Sequence, residues 1–134
     1  MTASQTTDLL RQHGLRPTRQ RIALASLLFD GHPRHVTAEN LKEQVKASGI
    51  KLSLATIYNT LHQFTAAGLL KEIKGISDVT WFDTNINSHH HFWDTSNNHL
   101  IDIPASSITI SNLPKTPAGK VINGVEVIVR LTDG

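Results

Sequence analysis

Three consecutive histidines, His89-His90-His91, are the residues of this chain best suited to chemistry. On a strand, alternate side chains point to opposite faces, so His89 and His91 share one face and His90 takes the other. Asp83 lies just upstream, and His99 and Asp102 fall on the next strand-like run. His35, between two predicted helices, is a further donor. A mixed His/carboxylate set without sulfur suits Fe(II), Mn(II) or Zn(II). Two plainer readings compete, a polar rim with no ligand and a purification tag. A run of three in mid-chain argues against the tag.

The elements that must position these residues divide at Thr84-Asn85-Ile86-Asn87-Ser88, a polar link with one apolar anchor. Residues 1–84 read as one domain and 85–134 as a second, in an α+β chain. Thr6 to His13 is expected as a short helix closed by Gly14. Thr18 caps the next, with an apolar stripe of Ile22, Ala25, Leu28 and Phe29. Thr37 caps a third, running to about Ser48.

The fourth helix is the informative one. Ser53 is its N-cap, Ile57, Leu61 and Phe64 line one side, and Gly68 ends it. Its other side carries Thr56, Tyr58, Asn59, His62 and Gln63, hydrogen-bonding groups without net charge. That face suits reading base edges in a major groove. The third and fourth helices form a helix–turn–helix. The runs Leu70–Lys74 and Val79–Asp83 follow as a hairpin, the wing of a winged helix, with Lys71 and Lys74 near the backbone. Arg16, Arg19 and Arg21 surround the Thr18 cap, where free N–H groups favour a phosphate.

After the link the pattern is strands and turns: His89–Trp93, His99–Ile103, a third strand at Ser107–Ile110, a brief helix from Thr116-Pro117-Ala118, and Val125–Leu131. A β-rich piece of this size does not bury both faces alone, and a second copy would cover one of them.

The formal charge is +2, unevenly placed: ten Lys/Arg against seven Asp/Glu in 1–84, three against four in 85–134. The basic surface therefore belongs to the first domain. The chain holds no cysteine, so there is no disulfide, thiolate site or thiol switch. No apolar run approaches membrane-spanning length, and Thr2 to Leu15 lacks a signal peptide's apolar core. The expectation is a soluble, cytoplasmic protein with no membrane partner.

Leu54-Ala55-Thr56-Ile57-Tyr58, Gln63-Phe64-Thr65-Ala66-Ala67-Gly68-Leu69, His35-Val36-Thr37-Ala38-Glu39 and the triple histidine together resemble the ferric uptake regulator (Fur) family. The absence of cysteine, Asn59 after the tyrosine, His-His-His-Phe-Trp and Leu-Ile-Asp-Ile-Pro are most similar to its iron response regulator (Irr) branch. The resemblance implies a winged helix–turn–helix followed by a small α/β dimerisation domain. It implies an iron- or haem-responsive transcriptional regulator, mainly a repressor, that binds double-stranded operator DNA as a homodimer and controls iron-homeostasis and haem-biosynthesis genes.

Carried over residue by residue, the family's regulatory metal site maps onto His35, Asp83, His91 and Asp102. Its usual second histidine, two after His91, is Trp93 here; either His89 or His99 replaces the lost ligand, or a haem occupies part of the region. The second family site matches His90, with Phe92 where a carboxylate usually stands. The implied cofactors are a divalent metal (Fe, Mn or Zn) and haem. The DNA-binding set is Arg16, Thr18, Arg19, Ser53, Thr56, Tyr58, Asn59 and His62. Two other classes compete, a metal-independent DNA-binding regulator and a His-ligated metallohydrolase. The second lacks a His-Glu-x-x-His pairing.

Overall fold

In the computed structural model, which describes residues 1–134, the chain divides into two units, Met1–Ile86 and Asn87–Gly134. The first contains α1 (Ala3–Gln12), α2 (Arg19–Leu28), β1 (His35–Val36), α3 (Ala38–Ala47), α4 (Leu54–Ala66), β2 (Lys71–Ile73) and β3 (Trp81–Asp83). The second contains β4 (His89–Asp94), β5 (His99–Pro104), a 3-10 turn at Ala105–Ser107 and β6 (Ile128–Leu131). The architecture is α+β, a winged helix–turn–helix followed by a small sheet.

Every helix begins on a hydroxyl cap: Thr2, Thr18, Thr37 and Ser53. Each cap satisfies a backbone N–H that the helix cannot, worth about 1 kcal/mol. α1 starts three residues before the expected Thr6 because Thr2 and Gln5 close a capping box. Thr6 is instead a buried helical residue whose hydroxyl donates to the Thr2 carbonyl (3.0 Å). At the end of α4, Gly68 takes φ +84°, which lets Leu69 N–H reach the Phe64 carbonyl (2.9 Å). That left-handed turn points the chain into β2.

Leu24, Leu28, Leu41, Ile57, Leu61 and Phe64 are fully buried between α2, α3 and α4. The wing is a three-stranded sheet in the order β1-β3-β2. β2 and β3 are shorter than the expected runs, and β1 falls between the second and third helices, where no strand is expected. A two-residue strand carries no periodicity to read. It pairs His35 opposite Asp83 and Val36 opposite Phe82.

The second unit is a sheet in the order β5-β4-β6, antiparallel on one side of β4 and parallel on the other. His91 lies opposite Asp102, and Asp94 opposite His99. Two expected elements are absent. Ser107–Ile110 forms no strand, because the chain turns through Ala105–Ser107 instead. Thr116–Ala118 starts no helix; Lys120 N–H closes a single turn on the Pro117 carbonyl (3.1 Å). Gly119, at φ +76°, takes the chain out of the helical region two residues after Pro117. The second unit therefore has no α-helix. β6 begins at Ile128 rather than Val125, because Glu126 and Val127 bond to histidine side chains of β4. No helix of the structure is long and apolar enough to cross a membrane.

Candidate metal centre and nucleic-acid interface

In the second unit, strand alternation and register do what the sequence pattern required. His89 and His91 lie on one face of β4, and Asp102 reaches that face from β5. Nε2 of His89 stands 3.1 Å and Nε2 of His91 3.3 Å from the same oxygen, Oδ1 of Asp102. Donor atoms bound about 2.1 Å from one ion at octahedral or tetrahedral angles stand about 3.0–3.4 Å apart. The two N–O spacings match that range, and they are equally those of His–Asp hydrogen bonds. The imidazole centroids are 4.4 Å apart, and both rings are buried while Asp102 keeps a route to solvent.

The outer nitrogens decide the electrostatics. His89 Nδ1 donates to the Asn87 carbonyl (2.6 Å), and His91 Nδ1 to Oε1 of Glu126 (3.0 Å). Carbonyl and carboxylate oxygens only accept, so each Nδ1 carries the proton. In the neutral rings each Nε2 is then a lone pair, aimed at a carboxylate oxygen. In that tautomer three acceptors face one another, an arrangement that a metal cation, or a proton on either Nε2, satisfies.

The structure brings His89, not His99, to His91. His99 sits at the far end of β5, exposed and opposite Asp94, whose carboxyl is held low by hydrogen bonds from the Asn97 side chain and backbone. Trp93 shares the face of His89 and His91 and is buried. His90 points to the opposite face, where its Nδ1 accepts from Val127 N–H (2.9 Å). It is not brought into the donor group.

In the first unit, β1 and β3 set His35 beside Asp83, Nε2 to Oδ2 at 3.2 Å. Asp83 is fully buried, and its Oδ1 accepts from Asn85 N–H (2.8 Å). The wing thus presents a second histidine–carboxylate pair.

The same unit carries the helix expected to read bases. Ser53 caps α4 by accepting from Thr56 N–H (3.1 Å), and its hydroxyl donates to Thr56 Oγ1 (2.9 Å). Asn59 and His62 are exposed. Tyr58 is half-buried, stacked on His62, and its hydroxyl donates to Glu39 (3.4 Å). Burial, then the Glu39 carboxylate, pushes the Tyr58 phenol up, so it stays a donor. A polar cavity of about 280 Å³ between the α2 cap and α4 is lined by Thr18, Arg21, Thr56 and Asn59 among others. Arg16 and Arg19 are exposed beside it. Arg21 is committed elsewhere: it donates to Gln63 Oε1 (3.0 and 3.2 Å) and to the Arg16 carbonyl (2.9 Å), tying α2 to α4.

A model of the ferric uptake regulator family matches residues 12–120, most of the chain and both of its units. The chain belongs to the ferric uptake regulator family. The peroxide-responsive repressor PerR of Staphylococcus aureus is 37% identical over 82 residues, 61% of this chain and 55% of that protein. The chain spans about half the length of the curated relatives it matches. The fold is shared with the ferric uptake regulator of Vibrio cholerae (TM-score 0.73, 18% identity, 95% of this chain and 98% of that one). It is shared too with that of Pseudomonas aeruginosa with manganese (TM-score 0.71, 21% identity, 96% and 97%).

Within this member of the ferric uptake regulator family, sequence reading missed one residue that touches the candidate metal centre. Glu126 reaches His91 from 35 residues away, just ahead of β6. The signal available was its position in Val125-Glu126-Val127, a lone carboxylate at the start of an apolar run.

Proposed function

We propose that this protein is a metal-responsive transcriptional regulator that binds operator DNA as a dimer. The observation that carries the reading is the convergence of His89, His91 and Asp102, three acceptors turned on one point. It occurs in a chain whose other unit presents a capped helix with a neutral polar face. The donors are nitrogen and carboxylate oxygen without sulfur, a set that fits Mn(II), Fe(II) or Zn(II). A bound ion would supply the positive charge that draws these donors together. In this reading His35 and Asp83 belong to the ligand set as well. The family resemblance supports that part.

Ser53, Thr56, Tyr58, Asn59 and His62 read base edges, while Arg16, Thr18, Arg19 and Lys71 hold phosphates. The dimer forms on the sheet face where Phe92 stands between Ile101 of β5 and Val129 of β6, Ile101 being 41% exposed. The name of the Staphylococcus aureus relative supports repression. The Irr resemblance supports iron and haem genes as targets and haem as a second ligand, in the cytoplasm where the DNA lies.

The test selects a duplex from a random pool, then titrates it with protein alone and with Fe(II), Mn(II), Zn(II) or haem, quantifying bound metal. Because the named relative responds to peroxide, one arm adds peroxide to the Fe(II) protein. A metal-dependent change in DNA affinity of 5–150-fold, about 1–3 kcal/mol of coupling, is expected. Equal affinity in every arm overturns the reading.

A further inference from the structure

The two outer hydrogen bonds of the donor group differ in reach. His89 Nδ1 is held by the Asn87 carbonyl, two residues away on its own strand. His91 Nδ1 is held by Glu126, 35 residues on, in the segment that enters the last strand. That segment is fastened to β4 at two further points. His91 N–H donates to the Val127 carbonyl (3.1 Å), and Val127 N–H donates to Nδ1 of His90 (2.9 Å). Glu126 and Val127 thus grip both faces of the histidine strand.

We infer that Glu126 is a positioning residue, setting His91 for a metal ion and tying the centre to β6, while His90 fastens the same segment from the other face. The triple histidine divides into two donors and one clasp. The chemistry follows from the bonds. A carboxylate on Nδ1 fixes the tautomer that leaves Nε2 as a lone pair, and it raises the basicity of that nitrogen. With a metal held at its Nε2, His91 would be a stronger donor at Nδ1, and its bond to Glu126 would tighten, holding Glu126, Val127 and the start of β6 more firmly against β4. The Asn87 partner of His89 Nδ1 is a main-chain carbonyl, whereas the partner of His91 Nδ1 is a side chain open to substitution. Glu126 is where the affinity of this centre is adjustable without touching a ligand.

The inference rests on the metal-binding reading, and the experiment separates the two. Mn(II) affinity is measured by chelator competition on the full chain and on its Glu126→Ala, Glu126→Gln and His90→Ala variants. Amide exchange at residues 127–131 is followed with and without Mn(II). Glu126→Ala should weaken Mn(II) binding 10–100-fold. Glu126→Gln keeps an acceptor of the same size and should recover most of that loss; if the Ala variant fails to fold, Gln decides against His91→Ala. Mn(II) should slow exchange at 127–131 in the wild type and not in Glu126→Ala. His90→Ala should speed that exchange and leave Mn(II) affinity unchanged. Wild-type affinity in Glu126→Ala overturns the inference, as does a loss in Glu126→Gln as deep as in His91→Ala. A loss in His90→Ala equal to that in Glu126→Ala overturns it too. A wild type that binds no Mn(II), Fe(II) or Zn(II) removes the metal-binding reading itself.

Discussion

The two units bury different things. Of the twenty buried apolar residues, seventeen lie in the first unit and three, Trp93, Leu100 and Ile103, in the second. The second buries His89, His90 and His91 instead. Apolar burial contributes about 25 cal/mol per Å², and three such residues across the 48 of Asn87–Gly134 leave that sum small. The first unit is held by a core formed from its own helices. The second is held by its two strand ladders and by the polar contacts of its three histidines with Asp102, Glu126 and Val127. Under the proposed metal-binding reading, the second unit's stability depends on its ligand and the first unit's does not.

The comparison breaks most easily at Phe64. Phe64→Ala opens a cavity in the first unit's core and should cost about 3–5 kcal/mol in urea unfolding of that unit. If Trp93→Ala, in the second unit, costs as much without metal, the contrast between the units is wrong.

Metal sharpens it next. At a hundredfold excess over its Kd, Mn(II) should stabilise the second unit by about 2.7 kcal/mol, and chelation should reverse this. His91→Ala should abolish the gain and spare metal-free DNA binding. Because coordination needs neutral imidazole, the gain should fade on acidification. Calorimetry with each unit's transition resolved is the check, and an equal gain in both transitions argues against conditional stability.

The DNA-facing residues divide the first unit internally. Asn59→Ala should change preference among operator variants by about 1–3 kcal/mol per lost base contact. Arg19→Ala should weaken all sites alike and lower the salt slope by about one unit. Competition binding at several salt concentrations separates the two. Arg21→Ala, by contrast, should lower stability rather than the salt slope, since its guanidinium is engaged with Gln63 and Arg16.

The smallest effect is at Asp30. Its hydrogen bond with Arg34, helped by His32 N–H, holds the carboxyl well below the usual carboxylate range. A depressed folded-state value means the charged form is favoured in the folded chain. Its contribution is present above the unfolded value near 4 and is lost as pH falls below it. Asp30→Asn should therefore flatten slightly the acid limb of the first unit's stability profile, measured as urea midpoint against pH.

What was legible in the sequence is local. Thr18, Thr37 and Ser53 declare helix starts because a cap needs only its next three residues. Strand alternation put His89 with His91 before any coordinates, since a period of two needs no partner. The pairing of His91 with Asp102 needed a register, which a hairpin of uncertain turn length does not give. Glu126 and the His90–Val127 bond were beyond reach, being contacts across 35 and 37 residues. Arg21 was placed at a phosphate because its charge is visible in sequence and its Gln63 partner, 42 residues on, is not.

The parallel placement of β6 beside β4 has a consequence in time. At a synthesis rate of about 5–20 residues per second, the 35 residues between His91 and Glu126 take about 2–7 s to emerge. During that interval the nascent chain holds His89, His91 and Asp102 but not Glu126, its strand order still incomplete. The winged helix is finished by then, built from neighbours close in sequence, whereas the second sheet waits for Ile128–Leu131. A chain released before Leu131 would carry a finished winged helix beside a two-stranded hairpin.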